Sequence, residues 1–300
     1  MGRNLAILIL IFVVAGCAGT SSSASAAAEA AAPSASAPAS QAAATPSPAE
    51  TPSPQPTTSP DPNAIAGFYD VGGGRSLYLT CNGSGSPTIF LESGDESEIS
   101  QWRLVAPALE RETRTCAYER AGVGRSSPAT GCRQLDDILG DLEALLTAAG
   151  VKGPFVLVGT SGGGFLMSAF AARHPDDVAG LVLVETPKAI TILSPELKAL
   201  IACDAPTNIE RRDYVAVEHA VWDNVKRIGD FPMTIVSNDY GAAAPPNDDA
   251  QTNVPDQRGW LVISPNSKQV VVTSGHDVPE NEPDLVIREI LAVLQAARRE

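Results

Sequence analysis

One serine lies in a pattern that is typical of nucleophilic catalysis. Gly159-Thr-Ser-Gly-Gly163 directly follows the apolar run Phe155–Val158, and an apolar helix pattern of small residues begins after it. Glycines on both sides of a serine permit the tight strand–turn–helix backbone that lifts its hydroxyl from the edge of a sheet. The free N–H groups and the positive dipole end of the helix favour a developing oxyanion. The pattern therefore predicts Ser161 as a nucleophile.

A serine nucleophile needs a general base, and the chain has only 3 histidines. His276 lies between the last strand pattern and the last helix pattern, at the sheet edge where the Ser161 turn is also expected. His174 ends the helix after Ser161, where the helix dipole explains its position. His219 lies in a segment that resembles a solvated helix. Position and elimination therefore favour His276 as the base.

The elements that would position these two residues alternate along the chain. Unbroken apolar runs such as Leu181–Val184 are typical of central parallel strands that are covered on both faces. Residues 135–149 carry apolar side chains at three- and four-residue steps and predict an amphipathic helix. Alternation of this kind predicts an α/β fold with a mostly parallel sheet and helices on both faces. Residues 188–229 interrupt it and are interpreted as a small cap insertion, or as a long crossover.

Composition excludes several classes of protein. Asp and Glu total 35 against 21 Lys and Arg, which gives a formal net charge of -14. A nucleic-acid partner is therefore not expected, because such proteins need a basic surface. No histidine or cysteine cluster indicates a metal, and no glycine-rich dinucleotide motif follows a strand. We therefore expect neither a metal nor a cofactor.

The first residues predict export and lipid attachment. Arg3 precedes the apolar run Leu5–Val14, which is shorter than the roughly 20 residues of a membrane-spanning helix. The run ends in Val14-Ala-Gly-Cys17, which resembles the lipobox of bacterial lipoproteins, where the cysteine is acylated and the chain is cut before it. We therefore expect residues 1–16 to be a signal peptide and Cys17 to hold the chain on the outer face of the bacterial cytoplasmic membrane, in the cell envelope. An ordinary signal peptide with an incidental cysteine is the alternative.

A tether then separates the expected anchor from the folded domain. Residues 17–62 are almost entirely Ala, Ser, Thr and Pro and show no apolar periodicity. A segment of this composition cannot bury enough apolar surface to offset the entropy of ordering it. The predicted organisation is therefore a lipidated, disordered tether over 17–62 and one domain over 63–300, with the cap at 188–229.

Several motifs together resemble the α/β-hydrolase family, from about Ile65 to the C-terminus. The resemblance implies an eight-stranded, mostly parallel sheet, and an oxyanion hole formed by the backbone N–H groups of Gly162 and Asp95. It also implies the chain order serine, acid, histidine. The motifs are Phe90-Leu-Glu-Ser-Gly94, Tyr118-Glu-Arg-Ala-Gly-Val-Gly-Arg-Ser126, Leu157-Val-Gly-Thr-Ser-Gly-Gly163, Gly180-Leu-Val-Leu-Val-Glu185 and Gly275-His276.

The acid of the implied triad has more than one candidate. In the family, the acid commonly follows the strand predicted here at Met233–Ser237, which favours Asp239. Asp239 is, however, closer to the end of that strand than the family's acid typically is. Glu185 ends the preceding strand, where some members of the family place the acid, and it is the alternative. A third possibility is the region of Asp248, Asp249 and Asp256. In each case the carboxylate would fix the imidazole tautomer and stabilise the imidazolium.

Four cysteines remain besides Cys17, and an exported chain permits disulfides. Cys81 and Cys116 fall on strands that resemble neighbours in this fold. Cys132 and Cys203 fall in loops over the expected catalytic edge, where a bridge would attach the cap to the domain. Buried free thiols are the alternative.

The function that these features predict is a serine hydrolase that works through an acyl-enzyme. Its substrate would be a small molecule with a carboxylic ester or lipid-like ester, at the cell envelope. A peptidase or amidase of the same fold is one alternative, and it would need a group that recognises a substrate amine or carboxylate. A surface protein that keeps the fold only for binding is another.

Overall fold

The computed structural model describes residues 64–189, 194–240 and 254–299. The predicted signal peptide (1–16), the tether with Cys17, and the acid candidates Asp248 and Asp249 lie outside these residues. Within the described parts of the chain, no helix is long and apolar enough to cross a membrane.

The described strands form one eight-stranded sheet in the order β1-β2-β4-β3-β5-β6-β7-β8. The pairs β1/β2 and β2/β4 are antiparallel, and every other neighbouring pair is parallel. The strands are β1 (Ile65–Gly72), β2 (Arg75–Asn82), β3 (Thr88–Glu92), β4 (Thr115–Glu119), β5 (Phe155–Thr160), β6 (Val178–Val184), β7 (Met233–Asn238) and β8 (Ser267–Val272).

Helices cover both faces of the sheet, as the alternating sequence pattern predicts. The α-helices are α1 (Ala106–Leu109), α2 (Leu135–Ala149), α3 (Gly162–Arg173), α4 (Pro195–Leu200), α5 (Tyr214–Trp222), α6 (Val254–Gln257), α7 (Val278–Asn281) and α8 (Pro283–Ala297). Short 3-10 turns cover Ile99–Trp102, Pro175–Asp177 and Arg258–Ile263.

Strand β5 shows how the two apolar layers arise. Successive side chains of a strand point to opposite faces. Phe155 and Leu157 therefore belong to the cluster that includes the apolar sides of α2, α3 and α5, whereas Val156 and Val158 belong to the cluster with α1 and α8. All six residues of β5 are buried. The predicted fold class, an α/β architecture with a mostly parallel eight-stranded sheet and helices on both faces, is confirmed.

Four cysteines form two disulfides, whose pairing the sequence left open. Cys81 on β2 lies directly opposite Cys116 on β4 and is bonded to it. Cys132 is bonded to Cys203 in the segment between β6 and β7. That segment carries α4 and α5, and we call its residues 188–229 the insertion. The second bridge therefore attaches the insertion to the loop before α2.

Candidate active site

Ser161 occupies a sharp turn between β5 and α3. Its backbone has φ 50° and ψ -128°, outside the regions that side-chain-bearing residues prefer. The turn is possible because the residues two positions before and after Ser161, Gly159 and Gly163, lack side chains. A Cβ at position 159 would lie 2.7 Å from the carbonyl oxygen of Gly163, and one at position 163 would overlap the carbonyl oxygen of Ser93. Backbone strain of this kind is typical of functional sites.

His276 reaches Ser161 from the loop after β8. The distance from its Nε2 to Ser161 Oγ is 2.9 Å, a hydrogen-bond distance. The side-chain oxygen of Asn238 at the end of β7 accepts hydrogen bonds from the N–H groups of Ser274 and Gly275, at 2.7 and 2.9 Å. Asn238 therefore fixes the loop that carries the imidazole. No pattern in the sequence indicated this role.

Glu185 is the carboxylate that faces the other side of the imidazole. Its Oε2 lies 3.4 Å from His276 Nδ1, and the residue is fully buried. Glu185 Oε1 accepts hydrogen bonds from the N–H of Asn238 at 2.6 Å and from Gln257 Nε2 at 2.9 Å. Glu185 Oε2 accepts one from the hydroxyl of Tyr240 at 2.9 Å. Its orientation is therefore set by three neutral donors.

The structure does not place Asp239, the preferred acid, beside His276, and this preference is corrected. The N–H of Asp239 donates to the carbonyl oxygen of Val272 at 2.7 Å, which extends the β7/β8 ladder by one residue. The side chain of Asn238 faces the His276 loop, whereas that of Asp239, the next residue in the strand direction, is exposed. Asp256, a further candidate, instead forms an ion pair with Lys188 at 3.3 Å.

The electrostatics of His276 suit a base that becomes charged during a reaction. Burial alone would lower the pKa of the imidazole. The hydrogen bond and the negative charge of Glu185 outweigh burial, with smaller contributions from Asp277 and Asp95, so the pKa lies above its ordinary value. A neighbouring carboxylate therefore stabilises the imidazolium.

The expected oxyanion donors, Gly162 and Asp95, lie next to each other. Gly162 begins α3, and a Cβ there would overlap both carboxylate oxygens of Asp95. Residues 93–97, which we call the oxyanion loop, follow β3. The loop also passes close to Ser161, since a Cβ at Gly94 would lie 3.3 Å from Ser161 Cβ. The resemblance predicted a role for the backbone N–H of Asp95, but it did not predict that the Asp95 carboxylate would lie against Gly162.

A buried arginine after β4 fixes the backbone of the oxyanion loop. Arg120 Nη1 donates to the carbonyl oxygen of Ser93 at 2.8 Å, and Nη2 donates to that of Gly94 at 2.7 Å. Arg120 also pairs with Glu92 at the end of β3. Burial raises the pKa of the Glu92 carboxyl group despite the opposing charge of Arg120.

Three residues of the insertion reach the same loop. Glu210 accepts two hydrogen bonds from Arg120, from Nε and Nη2, both at 2.7 Å, and one from the N–H of Glu96 at 2.5 Å. Arg212 donates to Asp95 Oδ1, and the hydroxyl of Tyr214 donates to the carboxylate of Glu96 at 3.2 Å. Burial would raise the pKa of Glu210, but the positive charge of Arg120 outweighs it and the pKa is lowered. No pattern in the sequence predicted that residues 210–214 would contact residues 93–97.

One group of residues has the types and spacing of metal ligands among the parts of the chain that are described. Cys132, Cys203 and Asp213 bring three potential ligand atoms within 4.8 Å of one another. The two cysteines are joined in a disulfide, so no thiolate is available for a metal. The group therefore serves to attach the insertion.

Comparison with known proteins gives one family match and many matches to solved structures. A family model described as "alpha/beta hydrolase fold" matches residues 87–202. Among solved structures, the enol-lactonase from Burkholderia xenovorans LB400 has a TM-score of 0.62 and 20% identity, and covers 76% of this chain and 99% of its own. A thermophilic esterase from Thermogutta terrifontis has a TM-score of 0.62 and 19% identity, with 78% and 98% covered. These likenesses establish the fold.

Curated relatives match over shorter stretches. The chain is 32% identical to the protein YqjL of Bacillus subtilis (strain 168) over 103 residues, which is 34% of this chain and 41% of the relative. It is 27% identical over 139 residues to the 2-hydroxy-6-oxo-6-(2'-aminophenyl)hexa-2,4-dienoic acid hydrolase of Metapseudomonas resinovorans, which is 46% of this chain and 48% of the relative. The chain therefore spans less than half the length of these relatives.

Proposed function

Because the chain has the α/β-hydrolase fold, we propose that it is a serine hydrolase that cleaves carboxylic esters of small molecules through an acyl-enzyme. One observation carries the proposal. Ser161 Oγ lies 2.9 Å from His276 Nε2 at the strained turn before α3, and Glu185 faces the opposite ring nitrogen. Nucleophile, base and orienting acid are thus within reach of one another, which is the arrangement that activates a serine hydroxyl.

The proposed reaction begins with attack of Ser161 Oγ on the carbonyl carbon of the ester. His276 Nε2 takes the hydroxyl proton as the new C–O bond forms, and Glu185 stabilises the resulting imidazolium. The carbonyl oxygen becomes an oxyanion, which accepts hydrogen bonds from the N–H groups of Gly162 and Asp95. Expulsion of the alcohol, with the proton from His276, leaves an acyl group on Ser161.

Hydrolysis of the acyl-enzyme repeats these steps with water. His276, neutral again, takes a proton from the water as its oxygen attacks the acyl carbon. The second tetrahedral intermediate collapses, Ser161 leaves with the proton from His276, and the carboxylic acid is released. Ser161 and His276 therefore act in both the formation and the hydrolysis of the acyl-enzyme.

Two observations favour esters, and favour an enzyme over a binding protein. Solved structures similar to this one include an enol-lactonase and a thermophilic esterase, and both names refer to the cleavage of ester bonds. The strained φ of Ser161 is costly to maintain, and it persists beside a base at hydrogen-bond distance. A protein that only binds would have no need of that strain.

The test is labelling by a fluorophosphonate together with turnover of p-nitrophenyl acetate. Wild type should be labelled at Ser161 and should hydrolyse the ester, whereas Ser161→Ala should lose both. Ser168→Ala is a matched control, because Ser168 is also buried and lies on α3. Ser161→Ala/His276→Ala should be no slower than Ser161→Ala, since the residues act as one unit. Turnover of Ser161→Ala near that of wild type would refute the proposal.

We propose that the enzyme is held at the cell envelope by a lipid on Cys17, on the outer face of the bacterial cytoplasmic membrane. The support is the sequence Val14-Ala-Gly-Cys17 after an apolar run. Acyl chains on this cysteine would bind the bilayer without a spanning helix. Wild type should sediment with membranes and Cys17→Ala should not. Equal recovery of the two proteins in the membrane fraction would contradict the anchor.

A further inference from the structure

The side chain of Asp95 lies in an unexpected place for an acid. Both carboxylate oxygens fill the space that a Cβ on Gly162 would need, directly beside the nucleophile. The charge of Asp95 also contributes to the raised pKa of His276. A carboxylate at this position repels the negative charge that develops on the carbonyl oxygen, and electrostatic interactions inside a protein are stronger than in water. Asp95 alone would therefore oppose the reaction that its own N–H group assists.

Arg212 opposes this charge from the insertion. Its guanidinium donates to Asp95 Oδ1 through Nη1, and the residue has no exposed surface. Its Nε and Nη2 have no hydrogen-bond partner in the described part of the chain. The guanidinium also lies over the ring of Tyr214, with Cζ 5.1 Å from the ring centroid, and Asp95 is the carboxylate to which it is hydrogen-bonded.

The backbone of Arg212 is held in place independently of its side chain. Its N–H donates to Asn208 Oδ1 at 3.1 Å, and its carbonyl oxygen accepts from Asn208 Nδ2 at 2.8 Å. Residues 133 and 212 also form a parallel bridge, next to the Cys132–Cys203 disulfide. The guanidinium therefore projects toward Asp95 from an anchored segment.

We propose that Arg212 is a positioning residue of the oxyanion site, which holds the Asp95 carboxylate against Gly162 and cancels its charge. The proposal rests on the proposed function, because it concerns the same transition state. Gly162 lacks a side chain, so the Asp95 side chain fills the space beside the nucleophile. Holding that side chain fixes the residue whose N–H faces the substrate, and neutralising it removes the repulsion.

A double-variant experiment separates this role from a structural one. Arg212→Met removes the charge but keeps an unbranched apolar side chain in the buried site. Its kcat for p-nitrophenyl acetate and its fluorophosphonate labelling rate should fall about 100-fold, with little change in KM, because the loss of charge affects the oxyanion. Adding Asp95→Asn removes the unpaired carboxylate, so Asp95→Asn/Arg212→Met should recover most of the lost rate. Arg212→Lys, which keeps the charge, should stay within about tenfold of wild type.

The controls exclude a simple loss of stability. Arg75→Met removes another arginine, which is paired with Asp141 of α2 rather than with the oxyanion loop, and it should leave kcat unchanged. Thermal melting of each variant checks that it is folded. If Arg212→Met does not fold, the lysine variant and the double variant still decide the question.

The outcomes distinguish the inference from the proposed function. A labelled wild type with a double variant as slow as Arg212→Met would overturn the inference alone, because removal of the carboxylate would then bring no relief. A loss expressed in KM rather than kcat would also overturn it, since Arg212 would then bind substrate. A wild type that is not labelled at Ser161 would overturn the proposed function, and the inference with it.

Discussion

Two regions border Ser161, and the carboxylates in them have different partners. On the base side, Glu185 is held by a backbone N–H, an amide and a phenol, and it has no ion pair with lysine or arginine among the residues described. On the oxyanion side, the carboxylates of Glu210 and Asp95 are each paired with an arginine. Neutral donors thus orient Glu185, whereas a buried arginine pairs with Glu210 and another with Asp95.

The difference follows from where charge forms in the proposed reaction. A positive imidazolium develops on the base side, so the Glu185 charge is useful only if nothing else neutralises it. A negative oxyanion develops on the other side, so uncompensated carboxylates there would raise the barrier. The proposed reaction therefore requires different partners for the carboxylates of the base side and for those of the oxyanion side.

The largest effect should come from breaking the base side. Glu185→Gln removes the charge that faces His276 Nδ1 and permits the wrong imidazole tautomer, so kcat for an activated ester should fall about 10⁴-fold. Asp239→Asn should leave kcat close to that of wild type, because Asp239 is exposed and is not placed at the ring. Steady-state kinetics of both proteins on one ester measure the difference. If Asp239→Asn were the crippled enzyme, Glu185 would not be the acid.

An intermediate effect should come from loosening the oxyanion side. Replacing Cys132 and Cys203 by Ser removes the bridge beside the segment that carries Glu210 and Arg212, and the free energy of unfolding should fall by about 2–4 kcal/mol. The kcat should fall as well, since the oxyanion loop would lose its fixed partners. Denaturant unfolding and ester turnover measure the two losses.

The Cys81–Cys116 bridge provides the matched control. The corresponding double Ser variant should lose stability but keep its kcat, because the bridge joins β2 to β4 and does not touch the oxyanion loop. Equal loss of kcat in both variants would show that activity follows stability alone.

The smallest effect is a shift in pH dependence. Glu185 keeps the pKa of His276 above its ordinary value of about 6.5, and the base must be neutral to accept a proton. The value of kcat/KM should therefore rise with pH, and the midpoint of this rise should lie above about pH 6.5. In the residual activity of Glu185→Gln, the largest contribution that opposes burial is removed, and the midpoint should move to lower pH. An unchanged midpoint would separate Glu185 from the titration of His276.

The parts of the site that depend on local sequence could be predicted. The Ser161 turn requires glycines at fixed positions, and His276 was favoured by its place between two elements. The prediction of the acid depended on strand register. Asp239 lies one residue past Asn238, and a shift of one residue along a strand reverses the side to which a side chain points. The pairing of Asp95 with Arg212 joins residues 117 positions apart, and no periodicity in the chain indicates such a contact.

The Cys81–Cys116 bond has a mechanical consequence. Strand β1 lies at the edge of the sheet and receives the chain from residue 64, so any pull on the preceding residues is first borne by β1. Rupture could pass through β1 and then β2, but Cys81 lies near the end of β2 and is covalently joined to β4. The bond would therefore limit the part of the hairpin that a load can extend to residues 65–80, and it would then transmit the load to β4, a strand inside the sheet.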